Sequence, residues 1–168
     1  MDTNVIPTYD LSDRPTGCCP RFDPKPWQDQ ELHLDKHRFV RAQTRSVLHV
    51  PVNMGKVFTK TMQTIHDAHA EGDHFMVLSH DDSPWHAEHL FWVEQDVPGA
   101  EMVELSGTFL THVFEGPYKD ANLWAQRMST LVQAKGRQLE KLYFFYTTCP
   151  KCAKVYGKNY VVGIAQVS

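Results

Sequence analysis

The sequence predicts an α+β fold made of two pseudo-symmetric βαββ units. Their strands form an antiparallel sheet with two helices on one face and a concave ligand-binding face opposite. Three observations predict it. Two segments carry apolar residues at helical spacing. Each is flanked by short runs rich in β-branched and aromatic residues, the mark of strands. The order strand, helix, strand, strand occurs twice, at an offset of 63 residues (112 minus 49) that aligns His49 with His112, Val50 with Val113 and Ile65 with Met128. The register slips later, where Pro84 pairs better with Pro150, so what recurs is element order and apolar pattern. Helices gathered on one face of an antiparallel sheet are one of the stable layer arrangements.

Residues 1–38 read as an irregular segment, because Pro7, Pro15, Pro20, Pro24 and Pro26 interrupt any regular element. Phe22, Trp27 and Leu34 offer apolar anchors, which favours a tail wrapping the domain over a disordered terminus. Residues 39–168 form the domain, with repeat one over about 39–97 and repeat two over about 98–168. Phe39 to Val52 is the first strand. Asn53 caps a helix from Met54 to about Ala70, with Val57, Phe58, Thr61, Met62, Ile65 and Ala68 as its stripe. Phe75–Leu78 and Leu90–Val93 follow as strands, separated by a turn at His80–Pro84. In repeat two, Leu105 to Phe114 is a strand that Glu115-Gly-Pro-Tyr118 breaks. Asp120 caps a helix to about Lys135, with Leu123, Trp124, Met128, Leu131 and Val132 on one face and Gly136 in the C′ position. Leu142–Tyr146, a Cys149-Pro-Lys-Cys152 turn and Tyr160–Gln166 close the chain as a hairpin.

At 168 residues, 42% apolar and 22% charged, one compact domain is expected. A net charge of -3 gives no electrostatic reason to expect nucleic acid. No apolar run is long enough to span a bilayer, and the first residues do not resemble a signal peptide, so the expected compartment is the cytoplasm. Thiols stay reduced there, and four cysteines then favour metal or redox chemistry over structural disulfides. No nucleophile elbow, Walker motif, HExxH motif or dinucleotide fingerprint is present, and no organic cofactor is expected.

Three groups of side chains carry the chemistry. Cys18, Cys19, Cys149 and Cys152 fall in two tight pairs. Tetrahedral zinc needs four such ligands, and the tail pair supplies two of them if it crosses the closing hairpin. Adjacent cysteines diverge in an extended chain, so a redox dithiol and inert thiols stand beside structural zinc as readings. His49 and His112 are either pocket histidines able to bind a ligand or move a proton, or hydrogen-bonded core residues. Trp85, Trp92, Phe144 and Tyr146 are candidates for an aromatic wall, whereas Trp124 belongs to the core stripe. Glu115 edges a pocket or faces water. The His80, Asp81, Asp82, His86 group has the composition of an ordinary polar turn.

The segment from Ser106 through Gly107-Thr-Phe109, Phe114-Glu-Gly-Pro-Tyr118 and Trp124 resembles the GyrI-like domain, also called the bacterial effector-binding domain. The resemblance extends through the repeated βαββ order from Phe39 to Val167. It implies a small-molecule pocket between the two halves. In the family that pocket serves gyrase inhibition, drug sensing or, in some stand-alone members, hydrolysis of reactive small molecules. The expected function is therefore binding of a small, largely apolar or aromatic molecule through Trp92, Phe144, Tyr146, His49, His112 and Trp85. The alternatives are a hydrolase using Glu115, His49, His112 and Tyr146 as acid–base residues, and a protein-interaction module of the gyrase-inhibitor kind. Where drug-sensing members carry a buried Glu, this chain has Phe144, which argues against an organic cation as ligand.

Overall fold

The computed structural model describes residues 3–48 and 50–168, and its elements are α+β with antiparallel strand pairing. In order they are β1 (Glu31–Val47), β2 (Val50–Pro51), α1 (Met54–Asp67), β3 (Val77–Ser83), β4 (His86–Trp92), β5 (Glu101–Glu115), α2 (Ala121–Ala134), β6 (Leu139–Tyr146), α3 (Pro150–Tyr156) and β7 (Tyr160–Val167). Two compact units emerge. One comprises the residues up to Asp35 with Gly107–Ser168, the other Lys36–Ser106. No helix among the described residues is long and apolar enough to cross a membrane.

In the Lys36–Ser106 unit, β1 pairs with β4 and β4 with β3. The other unit repeats that pattern, with β5 on β7 and β7 on β6. Two elements depart from a plain βαββ repeat: the short β2, and α3 between β6 and β7. The first strand also begins earlier than Phe39. Once the prolines end at Pro26, Leu32 and Leu34 alternate with exposed or half-buried neighbours, so Glu31–Arg38 is strand and not irregular tail. His80–Ser83 continues β3, and the hairpin turns at Pro84–Trp85. Their polarity reflects the exposed end of a strand, with Asp82 bound to His86 at 2.8 Å. Asn53 sits at the N-cap of α1, yet its side chain accepts from the Arg45 amide at 2.7 Å and leaves the helix uncapped. His49 lies outside the described residues.

Among the buried polar side chains of this unit, His89 is the largest that is fully buried. Its Nε2 lies 2.8 Å from the Thr44 hydroxyl and its Nδ1 2.7 Å from the Ser79 hydroxyl, with the Phe58 ring edge-on at 4.8 Å. One hydroxyl donates to the bare nitrogen and the other accepts from the N–H, so the neutral ring is satisfied. Burial pulls its pKa from 6.5 down to about 4. The folded value lies below the unfolded one, so the unfolded chain takes up the proton first as pH falls. The stabilisation is complete above pH 6.5 and is lost as pH drops from there through about 4. Urea midpoints measured across that window should fall with acid, and His89→Asn should flatten the slope. An unchanged slope in the variant assigns the titration to another group.

In the other unit, antiparallel register places three rows of side chains under α2. They are Leu110–Ala165–Leu142, His112–Gly163–Phe144 and Phe114–Val161–Tyr146. Trp124, Met128 and Val132 of α2 bury against this face, and Phe114 stacks on Trp124 at 5.6 Å. Leu123, expected on the stripe, is 62% exposed because it lies beside that face and not on it. Gly163 is required for a steric reason. A Cβ there would lie 2.6 Å from Met128 Sδ and 3.1 Å from Phe114. The helix ends in a Schellman motif, with Gly136 at φ +68, Gly136 N–H donating to Gln133 and Arg137 N–H to Val132.

The opposite face of this unit is not the open concave surface the sequence suggested. The N-terminal segment covers it. Trp27 is completely buried against Phe145 at 5.4 Å, Phe22 packs on Phe145 at 6.0 Å, and the Thr111 hydroxyl donates to the Trp27 carbonyl at 2.5 Å. Within this unit the segment is held through those aromatic side chains. Burying each such side chain contributes about 1.5–3 kcal/mol.

Candidate metal centre

Cys149-Pro-Lys-Cys152 is not a hairpin turn but the start of α3. Cys149 is the N-cap in extended backbone, Pro150 takes the first helical position, and Gly157 closes the helix at φ +74. Residues i and i+3 of a helix share a face, so this spacing turns both sulfurs the same way. Across from them lies the loop Asp13–Arg21. Its ends are joined by Arg21 N–H donating to the Asp13 carbonyl at 2.8 Å and by an ion pair between the same side chains at 2.9 Å. Residues 17–19 bend, with Gly17 in the left-handed region at φ +76. That bend overcomes the divergence of neighbouring side chains: the sulfurs of Cys18 and Cys19 lie 3.7 Å apart.

All four sulfurs lie within 4.8 Å of one another, and all four cysteines are free. Four thiolates at about 2.3 Å from a tetrahedral ion have edges of about 3.8 Å, so the cluster fits such an ion with small adjustments. Among the described residues no other group of three or more His, Cys, Asp or Glu side chains converges in this way. Cys152 is buried, Cys19 and Cys149 are half-buried, and Cys18 is exposed. The surroundings are built to hold the loop on α3. The Thr16 hydroxyl lies 3.2 Å from Cys152 Sγ and 3.0 Å from the Tyr156 hydroxyl, which donates to the Cys19 carbonyl at 2.6 Å. Cys149 N–H donates to Cys19 Sγ at 3.4 Å. The Thr16 hydroxyl, with help from the amide of Cys19 and neighbouring thiols, pulls the Cys152 thiol down to about 6. Burial pushes Cys18 and Cys19 up. A thiol cluster of this kind ionises fully only when a cation replaces the protons.

Of the remaining candidates, His112, Phe144 and Tyr146 share one face of their unit, while Trp85 and Trp92 belong to the other unit. His112 is half-buried on β5 with Nδ1 bound to Asp29 at 2.7 Å, while the backbone of Asp29 is held at φ +53. Gln28 and Gln30 pin that segment to β5 through Val113 N–H at 2.7 Å and Thr111 N–H at 2.9 Å. Phe144 and Tyr146 lie half-buried under α2, with Tyr146 5.7 Å from the Tyr118 ring. Glu115 is exposed, beside a shallow depression shared with Tyr118, Lys154 and Asn159. Trp92 is core, 5% exposed, stacked on His37 at 3.4 Å and donating to Glu94 at 2.9 Å. Trp85 projects from the β3–β4 turn, 57% exposed. Sequence reasoning missed Asp29, Thr16 and Tyr156. Only the distant pairing of tail with strand and helix gives them a role, and no local pattern signals that pairing.

The family profile described as "Bacterial hydrolase" matches residues 9–167. No curated protein matches the chain in sequence. Among solved structures, an uncharacterized conserved protein from Listeria innocua aligns at 9% identity and a TM-score of 0.60, covering 84% of this chain and 93% of its own. A hydrolase from Listeria innocua aligns at 12% identity and a TM-score of 0.58, covering 84% and 92%. At these identities the likeness establishes a shared fold.

Proposed function

Because the chain belongs to the bacterial hydrolase family, we propose that it acts on a small, largely apolar or aromatic molecule, and that a structural zinc ion fastens its N-terminal segment. The observation that carries the metal reading is the convergence of four sulfurs within 4.8 Å. Four soft thiolates in tetrahedral array suit zinc, and a site with no open position stabilises structure without activating water. Cys18 and Cys19 hold the tail side of the ion, Cys149 and Cys152 the helix side.

Family membership supports hydrolysis, and His112 is the base we favour. Asp29, held 2.7 Å from Nδ1, fixes the tautomer that leaves Nε2 as proton acceptor. Phe144 and Tyr146 supply apolar surface in the same face of the sheet. Binding without turnover is the second reading, favoured by the aromatic run Phe114, Trp124, Phe144, Tyr146 and Tyr118. The recurring strand pairing supports a pseudo-symmetric, GyrI-like pair of units, and free thiols fit a reducing cytoplasm. A panel of aryl esters and other electrophilic small molecules tests the activity. His112→Asn should lower kcat/KM about 10²–10⁴-fold with little change in unfolding midpoint. Turnover that survives His112→Asn removes this residue from the chemistry, and binding without turnover selects the second reading.

A further inference from the structure

We propose that Cys18 is a peroxide-modification site, through which the metal centre is converted into a disulfide joining the N-terminal loop to α3. The inference rests on the zinc reading of the same cysteines. Cys18 is the exposed sulfur of the four, while Cys152 is buried and the other two are half-buried. An oxidant arriving from solvent therefore meets Cys18 first.

The chemistry balances with hydrogen peroxide as the two-electron oxidant. The Cys18 thiolate attacks one peroxide oxygen, the O–O bond breaks, and Cys18 sulfenic acid and hydroxide form. A second thiolate then attacks the Cys18 sulfur, an S–S bond forms, and the sulfenic oxygen leaves as hydroxide. Two of the four ligands are consumed, so zinc departs.

Geometry selects the second thiolate. Cys19 lies close, at 3.7 Å between sulfurs. Yet adjacent Cα atoms are about 3.8 Å apart across a trans peptide, short of the roughly 4.4–6.8 Å that a disulfide spans. Cys149 and Cys152 remain, both within 4.8 Å of Cys18, one at the N-cap of α3 and the other inside it. Either one gives a covalent link between tail and helix. Oxidation thus expels the ion and keeps the loop in place, and a thiol reductant with added zinc restores the starting state.

Zinc content of the purified full-length protein is measured first, followed by peroxide treatment with a chromogenic chelator. Peptide mapping then locates disulfides, and dimedone traps sulfenic acid. One equivalent of zinc, a dimedone adduct at Cys18 and a Cys18-to-α3 disulfide are expected. If the protein carries no zinc, the metal reading fails and takes the inference with it. If zinc is present but peroxide yields only a Cys149–Cys152 bond, or dimedone marks another cysteine, the inference alone is overturned.

Discussion

Chelating the metal, or replacing Cys149 with serine, should open the Asp13–Arg21 loop to trypsin while the sheet stays folded. Arg21 is the exposed tryptic site at the end of that loop, whereas Arg14 precedes Pro15, a bond trypsin does not cut. Beyond it on either side the tail is held independently. Ile6 and Tyr9 are buried before it, and Phe22 and Trp27 after it. Asn4 is tied to His33 and Asp35 at 2.8–3.0 Å. The effect is therefore local opening, with binding energy appearing as order of one loop. Serine replaces a thiolate poorly as a ligand for a soft ion, so Cys149→Ser should imitate the chelator. Cleavage after Arg21 should rise at least about tenfold with little change in the unfolding midpoint, since opening rather than global unfolding limits the rate. Zinc well below one equivalent in purified protein, or equal cleavage with and without chelator, would discard the metal.

Trp27→Ala should cost about 3–5 kcal/mol, the range for emptying a fully buried aromatic site. Its ring meets Phe22 at 5.8 Å and Phe145 at 5.4 Å, so its loss leaves both with an unfilled neighbour. The indole N–H is buried without a hydrogen-bond partner. An unmet donor is itself unfavourable by about 1–3 kcal/mol, so Trp27→Phe should stay within about 1 kcal/mol of wild type despite its smaller area. Denaturant midpoints of the two variants separate these effects. A small loss for Trp27→Ala would mean that the tail is decoration on a core complete without it.

The central strands and both long helices were legible because their periodicity is local. Met54–Asp67 and Ala121–Ala134 lie inside the ranges their apolar stripes mark, and Gly136 terminates the second as its position suggests. Two of the misplaced elements share one cause. His80–Ser83 and Glu31–Arg38 carry polar residues yet are strands, because pairing with a neighbour satisfies their backbone whatever the side chains are. Cys149–Cys152 looked like a turn because a seven-residue helix has too few positions to show a stripe. The cysteine grouping was legible from spacing. What spacing could not supply was the bend at residues 17–19 that lets neighbouring sulfurs converge, or Thr16 and Tyr156 holding the loop on α3.

The separation of the two cysteine pairs also sets a schedule for biosynthesis. Cys19 and Cys149 are 130 positions apart (149 minus 19). At about 5–20 residues per second, a ribosome delivers the second pair roughly 7–26 s after the first. The early pair must wait in the nascent chain with its partners still untranslated. Trp27 waits with it, because Phe145 emerges only near the end. Lys36–Ser106 is complete well before then. On the zinc reading, metal loading is thus a late event in the life of each molecule, and a cell short of zinc should accumulate chains that have folded with the Asp13–Arg21 loop still open.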